Sequence, residues 1–376
     1  MDIIDSIKCL CYMDVSEEGM NPEQTKLYRT AKAFLDADEE TAELLAKELF
    51  VETQDARIKD TAVSLLFTLL LWQGRFDEME TYGLPRNDDD AEQIAIYDTR
   101  DSEIVYSSEL SEHDMPDYPL IQPILTVEIN GVNIDLLIDT GALLTTISQS
   151  VAELCGVPVD GNTTEADGSA GNSFQVQLSD INEIKVGNLT YKNKQCIVIP
   201  DAALYFSGVN EGLQINGTIG WEIIKLLRWE IDYIKRRVSL HKPQSKDVAK
   251  NMCCDFYPMT KITLNNNVDI TVGLDTGATD SFFGKEAIGL FPNAIESKRT
   301  PRGADATVGM EEAGYSLPEL RFCHGDTEIK LNKAFMYKDR GYSLTKTFIT
   351  PGTLGSDIAS NGVLVIDYMN RRLDIK

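Results

Sequence analysis

Apolar residues recur at three- and four-residue spacing from about Asn21 to Ala95, and this periodicity predicts helices. The stretches are NPEQTKLYRTAKAFLDAD, EETAELLAKELFVETQ and DARIKDTAVSLLFTLLLWQGRFDEMETYG. Asn21 before Pro22 reads as a helix N-cap with proline in the first turn. The run AVSLLFTLLLW, Ala62 to Trp72, is far shorter than the roughly 20 residues a membrane helix needs, so it reads as a buried helix and no membrane span is expected. From Ile121 the pattern changes to short β-rich runs broken by Gly, Asn and Asp, with Asn130-Gly131 as a hairpin signal. From about Tyr257 the same design restarts. The expected organisation is a helical segment at 1–97, an acidic connector at 98–119, and two β segments at 120–245 and 250–376.

The two β segments can be laid on each other. LLIDTGALLTTIS ends at Ser148 and VGLDTGATDSFFG at Gly284, which places Asp139 and Asp275 136 positions apart. NGTIGWEII at Asn216–Ile224 matches PGTLGSDIA at Pro351–Ala359, and IDYIKRRV at Ile231–Val238 matches IDYMNRRL at Ile366–Leu373, both offset by 135. Three blocks keep almost one offset, which indicates an internal duplication. Asp and Gly are ordinary turn residues. A turn alone, however, gives no reason for both copies to keep Asp-Thr-Gly-Ala while their neighbours drift.

Pseudo-twofold symmetry would bring equivalent positions together at the axis, and Asp139 and Asp275 are the equivalent acids that follow buried strands. At about 4 Å and an effective dielectric near 20, two carboxylates repel by roughly 4 kcal/mol, or about 3 pKa units. One proton is then shared. One carboxylate acts as base towards a water and the other donates to a carbonyl oxygen. Gly141 and Gly277 suit a tight carboxylate loop. Thr140 and Thr276 can hydrogen-bond across the axis.

The motif set DTGA, then TIG or TLG some eighty residues on, then IDY..RR, resembles a lobe of a retropepsin-like (clan AA) aspartic protease, here in the single-chain, two-lobed form of bacterial relatives. The resemblance covers about 120–376. It implies a mainly β fold with two acid-protease-like lobes in tandem, preceded by the α-helical segment, part of which resembles a tetratricopeptide helix pair. It implies an aspartic endopeptidase with Asp139 and Asp275 as the catalytic pair sharing a proton in the way of such dyads generally. Thr140, Gly141, Ala142, Thr276, Gly277 and Ala278 would form the supporting loops. Ile219 and Gly220, with Leu354 and Gly355, would be the apolar-apolar-Gly elements behind them. Flaps are expected at Asp167, Gly168, Ser169, Ala170 and Gly171, and at Gly303, Ala304, Asp305 and Ala306, in Gly- and Ala-rich stretches suited to a mobile lid. The chain departs from viral members where they carry polar or acidic residues after the Ala and Arg after the later Gly. Leu143 and Trp221 stand there in the first copy, Thr279 and Ser356 in the second, so the familiar ion pair is absent.

Composition adjusts this picture. Of 376 residues, 43% are hydrophobic and 25% charged, as in a globular protein, and the length favours more than one domain. The net charge of −25 argues against nucleic-acid partners. Thr81 to Leu120 alone holds eleven Asp and Glu against two Arg and reads as a solvated connector. The seven cysteines form no Cys-x-x-Cys pair and read as mostly buried free thiols. His113, His241 and His324 show no metal spacing, and no zinc-peptidase, nucleotide-loop or serine-hydrolase motif occurs. No metal and no cofactor is expected. The first residues lack a signal-peptide pattern, so the expected location is cytoplasmic, or periplasmic or secreted for a processed form. The expected partner is a peptide or protein substrate, bound by a monomer. Two other readings stay open: a non-catalytic peptide-binding or adaptor protein using the same cleft, and an interaction protein whose β lobes only process the chain itself.

Overall fold

Asn130 (φ 49°) and Gly131 (φ 86°) both take the left-handed backbone that a two-residue hairpin turn demands, and Ile124–Ile129 pairs antiparallel with Val132–Ile138 across them. In the second half Tyr257–Leu264 pairs with Asp269–Leu274 in the same way through a longer turn. The computed structural model describes residues 2–159, 163–167, 173–206, 213–300, 311–341 and 345–376.

The N-terminal part is helical: Ile3–Lys8, Pro22–Leu35, Glu39–Glu52, Ala56–Gln73, Phe76–Met79 and Asp88–Tyr97. Each main helix starts where the sequence supplies a cap. Asn21 accepts from Gln24 N while Gln24 reaches back to Asn21 N, and Asp38 and Asp55 cap the next two. Ala56–Gln73 ends at Gly74 with φ 71°. Its residues Thr61 to Trp72 are all buried, which is why the run is apolar on every face. No described helix is long and apolar enough to cross a membrane.

The rest is β. An eight-stranded sheet has, at its centre, Thr146–Ser148, Gly217–Ile219, Val132–Ile138 and Ile124–Ile129 in spatial order. A ten-stranded sheet places Phe282–Phe283, Gly352–Leu354, Asp269–Leu274 and Tyr257–Leu264 in the same order. The registers repeat as well. Thr218 faces Leu137 and Ile219 faces Ile138 in parallel, as Thr353 faces Gly273 and Leu354 faces Leu274. Gly217 faces Ile147 antiparallel, as Gly352 faces Phe283. A third sheet joins the halves: Arg228–Asp232 pairs with Val363–Asp367, Trp229 opposite Ile366, flanked by Arg237–His241 and Arg372–Ile375.

The connector at 98–119 is not the loose, solvated linker its composition suggests. Glu103–Tyr106 forms an edge strand on Leu189–Ile199, and Leu110–Asp114 forms the edge of the joining sheet on Arg237–His241. Edge pairing uses backbone groups and leaves side chains free to face water, so an acidic, exposed sequence is compatible with it. All seven cysteines are free thiols, and six are buried.

The helical part packs on the second half. Ile4, Ile7, Phe34 and Leu66 share a core with Tyr257, Met259 and Phe348. Arg371, from one of the two Arg-Arg pairs, holds Glu39 through both carboxylate oxygens at 2.5 and 2.7 Å.

Candidate active site: two Asp-Thr-Gly-Ala loops

Val132–Ile138 and Asp269–Leu274 are the buried inner strands, and the chain leaves each one at an aspartate. The backbone of each aspartate is tied to the parallel neighbour strand: Asp139 N donates to Ile219 O at 3.1 Å, Asp275 N to Leu354 O at 2.9 Å. The loop then turns back on the side chain. Gly141 N and Ala142 N donate to Asp139 Oδ1 at 2.9 and 3.1 Å, and Gly277 N and Ala278 N to Asp275 Oδ1 at 2.9 and 3.1 Å. The two loops have the same internal geometry.

They also touch. Thr140 N donates to Thr276 Oγ1 and Thr276 N to Thr140 Oγ1, each at 3.0 Å. Thr140 Oγ1 donates to Leu274 O at 2.8 Å, and Thr276 Oγ1 to Ile138 O at 2.7 Å. Both threonines are fully buried. The aspartates consequently face each other, each lying against the glycine of the opposite loop. The approach leaves no room for a side chain at the glycines. A Cβ on Gly141 would sit 2.6 Å from Asp275 Cγ, and one on Gly277 2.4 Å from Asp139 Cγ.

Burial, and the closeness of the two acids to each other, push both carboxyls above the ordinary aspartate value. The amide donors on each Oδ1 work against that rise. The pair therefore titrates as a unit that holds a proton well above pH 4.

Behind the loops lie residues that sequence reasoning missed. Thr145 N and Oγ1 donate to Glu222 Oε1, and Thr145 Oγ1 accepts from Gly220 N at 3.2 Å. In the second half Ser281 N and Oγ donate to Asp357 at 2.9 and 2.6 Å, and Ser281 Oγ accepts from Gly355 N at 3.0 Å. Each apolar-apolar-Gly element is thus fastened to its own Asp-Thr-Gly-Ala loop by a buried acid and a hydroxyl. The offsets of 136 and 135 between the copies were the available signal. Burial pushes Asp357 up to about 6. Glu222 also lies 3.5 Å from the buried Lys194. At the positions of the absent ion pair, Trp221 N donates to Ala142 O and Ser356 N to Ala278 O. Gln122, also missed, reaches across: its Nε2 donates to Gly277 O at 3.2 Å and Thr279 Oγ1 at 2.6 Å.

Of the expected flap residues, Asp167 ends the strand Thr163–Asp167, which pairs with Ser173–Val186. Gly168, Ser169, Ala170 and Gly171 lie outside the described residues, as do Gly303, Ala304, Asp305 and Ala306. The strands around the second stretch, Ile295–Arg299 and Glu312–Leu317, pair as a hairpin with Arg299 opposite Glu312. Among the described residues no group of three His, Cys, Asp or Glu is placed to hold a metal.

Residues 125–223 match the aspartyl protease family. The chain resembles the retropepsin-like aspartyl proteases, and the matched stretch carries Asp139, Ile219 and Gly220. A retropepsin-like aspartic protease from Rickettsia conorii, known from its crystal structure, is 19% identical, with a TM-score of 0.29. The likeness covers 36% of this chain and 95% of that one. No curated protein matches the chain. The matched stretch thus spans the first Asp-Thr-Gly-Ala loop and its backing element, and the second loop shows the same strand registers.

Proposed function

We propose that the chain is an aspartic endopeptidase built from two retropepsin-like lobes in tandem, products of an internal duplication, acting as a monomer on an extended peptide. The observation that carries this reading is the reciprocal pairing of Thr140 and Thr276, which sets the two carboxyls face to face. Equal loops with equal amide donors on each acid are what a shared-proton dyad needs.

In the reaction, a water held between the carboxyls attacks the scissile carbonyl carbon. With Asp139 taken as the charged member of the pair, the water's proton passes to it, while the proton on Asp275 passes to the carbonyl oxygen. In the collapse of the gem-diol, Asp139 returns its proton to the amine nitrogen, the C–N bond breaks, and a gem-diol proton goes back to Asp275. The dyad ends as it began. The substrate lies as a strand beside the strand pairs Thr163–Asp167 with Ser173–Val186 and Ile295–Arg299 with Glu312–Leu317, held by main-chain hydrogen bonds, with alternate side chains in pockets.

The test is cleavage of an unbiased peptide library from pH 3 to 8, with Asp139→Asn and Asp275→Asn alongside. Cleavage abolished in both variants supports the dyad. No cleavage by the intact chain at any pH overturns it in favour of a peptide-binding or adaptor protein with the same cleft.

A further inference from the structure

Asp275 N is held by Leu354 O, and only a few residues before Leu354 the chain passes through the helical N-terminal part of the protein. Lys346 Nζ lies 2.8 Å from Asp90 Oδ1, donates to Gln93 Oε1 at 2.7 Å, and sits 3.9 Å above the ring of Phe67. Phe348 is 2% exposed and packs on Phe34 with ring centres 5.6 Å apart. Ile349 N donates to Lys8 O at 2.9 Å. Between them, Thr347 N and Phe348 N donate to the buried Asp255 at 2.7 and 2.8 Å, and Thr68 Oγ1 from the helical part reaches the same carboxylate. Four consecutive residues are therefore pinned, three of them directly by helices that lie more than 200 positions away in sequence. From Thr350 the chain runs through Pro351, whose carbonyl accepts from Gly284 N, into Gly352–Leu354.

The first half is built differently at the equivalent place. There Leu213–Gln214 pairs with Tyr205–Phe206, and Ile215 N donates to Leu204 O. Leu204 and Ile215 share a small core with Val176 and Ile199, all from the same half. The stretch leading to Ile219 is held by its own sheet, and the stretch leading to Leu354 by the helices.

We infer that the helical segment is a positioning part of the second catalytic loop, which it fixes through Lys346, Phe348 and Ile349. Asp90 is 1% exposed and Lys346 largely buried. A buried ion pair adds little net stability over apolar packing, yet it fixes one register. That is the property a stretch aligning Leu354 O with Asp275 N requires. The helices are then neither a removable inhibitory segment nor a tethered adaptor.

The experiment uses the full chain with Lys346→Met and Lys346→Arg. Amide hydrogen exchange is read at 352–355, at 275–278 and, as internal control, at 217–220. Lys346→Met is expected to speed exchange by roughly tenfold in the first two stretches while leaving 217–220 unchanged. Peptide cleavage, where the kinetic arm rests on the function proposed above, should lose about 10- to 100-fold in kcat with KM within about twofold, the signature of a displaced catalytic group. Lys346→Arg should restore both. Unchanged exchange at 352–355 and 275–278 in folded Lys346→Met overturns the inference. So does an equal rise at 217–220, which would mean general loosening. Where Lys346→Met does not fold, Phe348→Leu is read in the same way. A parent chain without cleavage activity would sink the proposed function and still leave the exchange result to decide this inference.

Discussion

Thr140 and Thr276 each donate a backbone N–H to the other's hydroxyl at 3.0 Å, and each hydroxyl donates onward to the strand under the opposite loop. Four hydrogen bonds in a buried site join the two Asp-Thr-Gly-Ala loops, and each is made by a group that would otherwise be unpaired. Thr140→Ala or Thr276→Ala leaves a buried N–H and a buried carbonyl without partners. The expected cost is about 1–3 kcal/mol of stability for each variant. Thr→Ser at either place keeps the hydroxyl and should cost less than about 1 kcal/mol. Denaturant unfolding of the four single variants checks this, and Ser variants as damaging as Ala variants would show that the methyl groups, not the hydrogen bonds, hold the loops.

The dyad carries a sign that thermal unfolding can read. Both carboxyls are raised in the folded protein, so the folded state binds its protons more tightly than the unfolded chain does. The stability this gives is complete below the ordinary aspartate value near 4 and is lost as pH rises through the folded-state values. Asp275→Asn removes one of the two raised groups. Its unfolding free energy should lie close to the parent's at about pH 3.5 and above it at pH 8, by about 1.4 kcal/mol for each pKa unit removed, with Tm rising in the same sense. A variant less stable than the parent at pH 8 would contradict a forced charge pair at this site.

How much of this could be read from residues alone depended on repetition in the sequence. Asp139 and Asp275, the threonines and the apolar-apolar-Gly elements stood out because each occurs twice at offsets of 136 or 135, and the structure brings both copies to one place. The helices were legible from spacing and, at Asn21, from the cap, whereas the cap at Asp55 was seen only in the structure. Glu222 and Asp357 were not, although they too are equivalent. Their partners Thr145 and Ser281 lie 77 and 76 residues away, and an acid beside a Gly carries no local sign that it will be buried. The strands at 103–106 and 110–114 were hidden by charge, because an edge strand is chosen by its backbone. The Glu39–Arg371 pair joins parts of the chain that no periodicity relates.

Gln122 breaks the symmetry of the site. It is 3% exposed and crosses to Gly277 O and Thr279 Oγ1, whereas its counterpart Tyr257 turns into its own half, with its hydroxyl 3.2 Å from Thr353 Oγ1. Gln122 of the first half therefore steadies the loop that carries Asp275. Gln122→Leu should cost about 1 kcal/mol in stability and lower kcat several-fold, because the loop carrying Asp275 loses a fixed neighbour. Tyr257→Phe, which removes the hydroxyl beside Thr353 Oγ1, should leave kcat near the parent value. Steady-state kinetics on one cleavable peptide separates the two, and a Tyr257→Phe defect equal to that of Gln122→Leu would refute the asymmetry.

The two buried acids behind the loops look alike but should respond differently to removal. Asp357 accepts from Ser281 N and Oγ, so Asp357→Ala strands one N–H and one hydroxyl, at about 1–3 kcal/mol. Glu222 accepts the same pair of donors from Thr145 and also faces Lys194, which is only 3% exposed. Glu222→Ala leaves that ammonium as a buried charge without its counter-ion, which raises the expected loss to about 3–5 kcal/mol. The excess should disappear when the charge goes too. Glu222→Ala with Lys194→Met is expected to be about as stable as Asp357→Ala, and more stable than Glu222→Ala alone. Urea unfolding of the single and double variants measures the coupling directly. A double variant no more stable than Glu222→Ala would mean that Gln195 O, which Lys194 already reaches, and water suffice for the ammonium, and that the hydrogen bonds to Thr145 account for the whole effect.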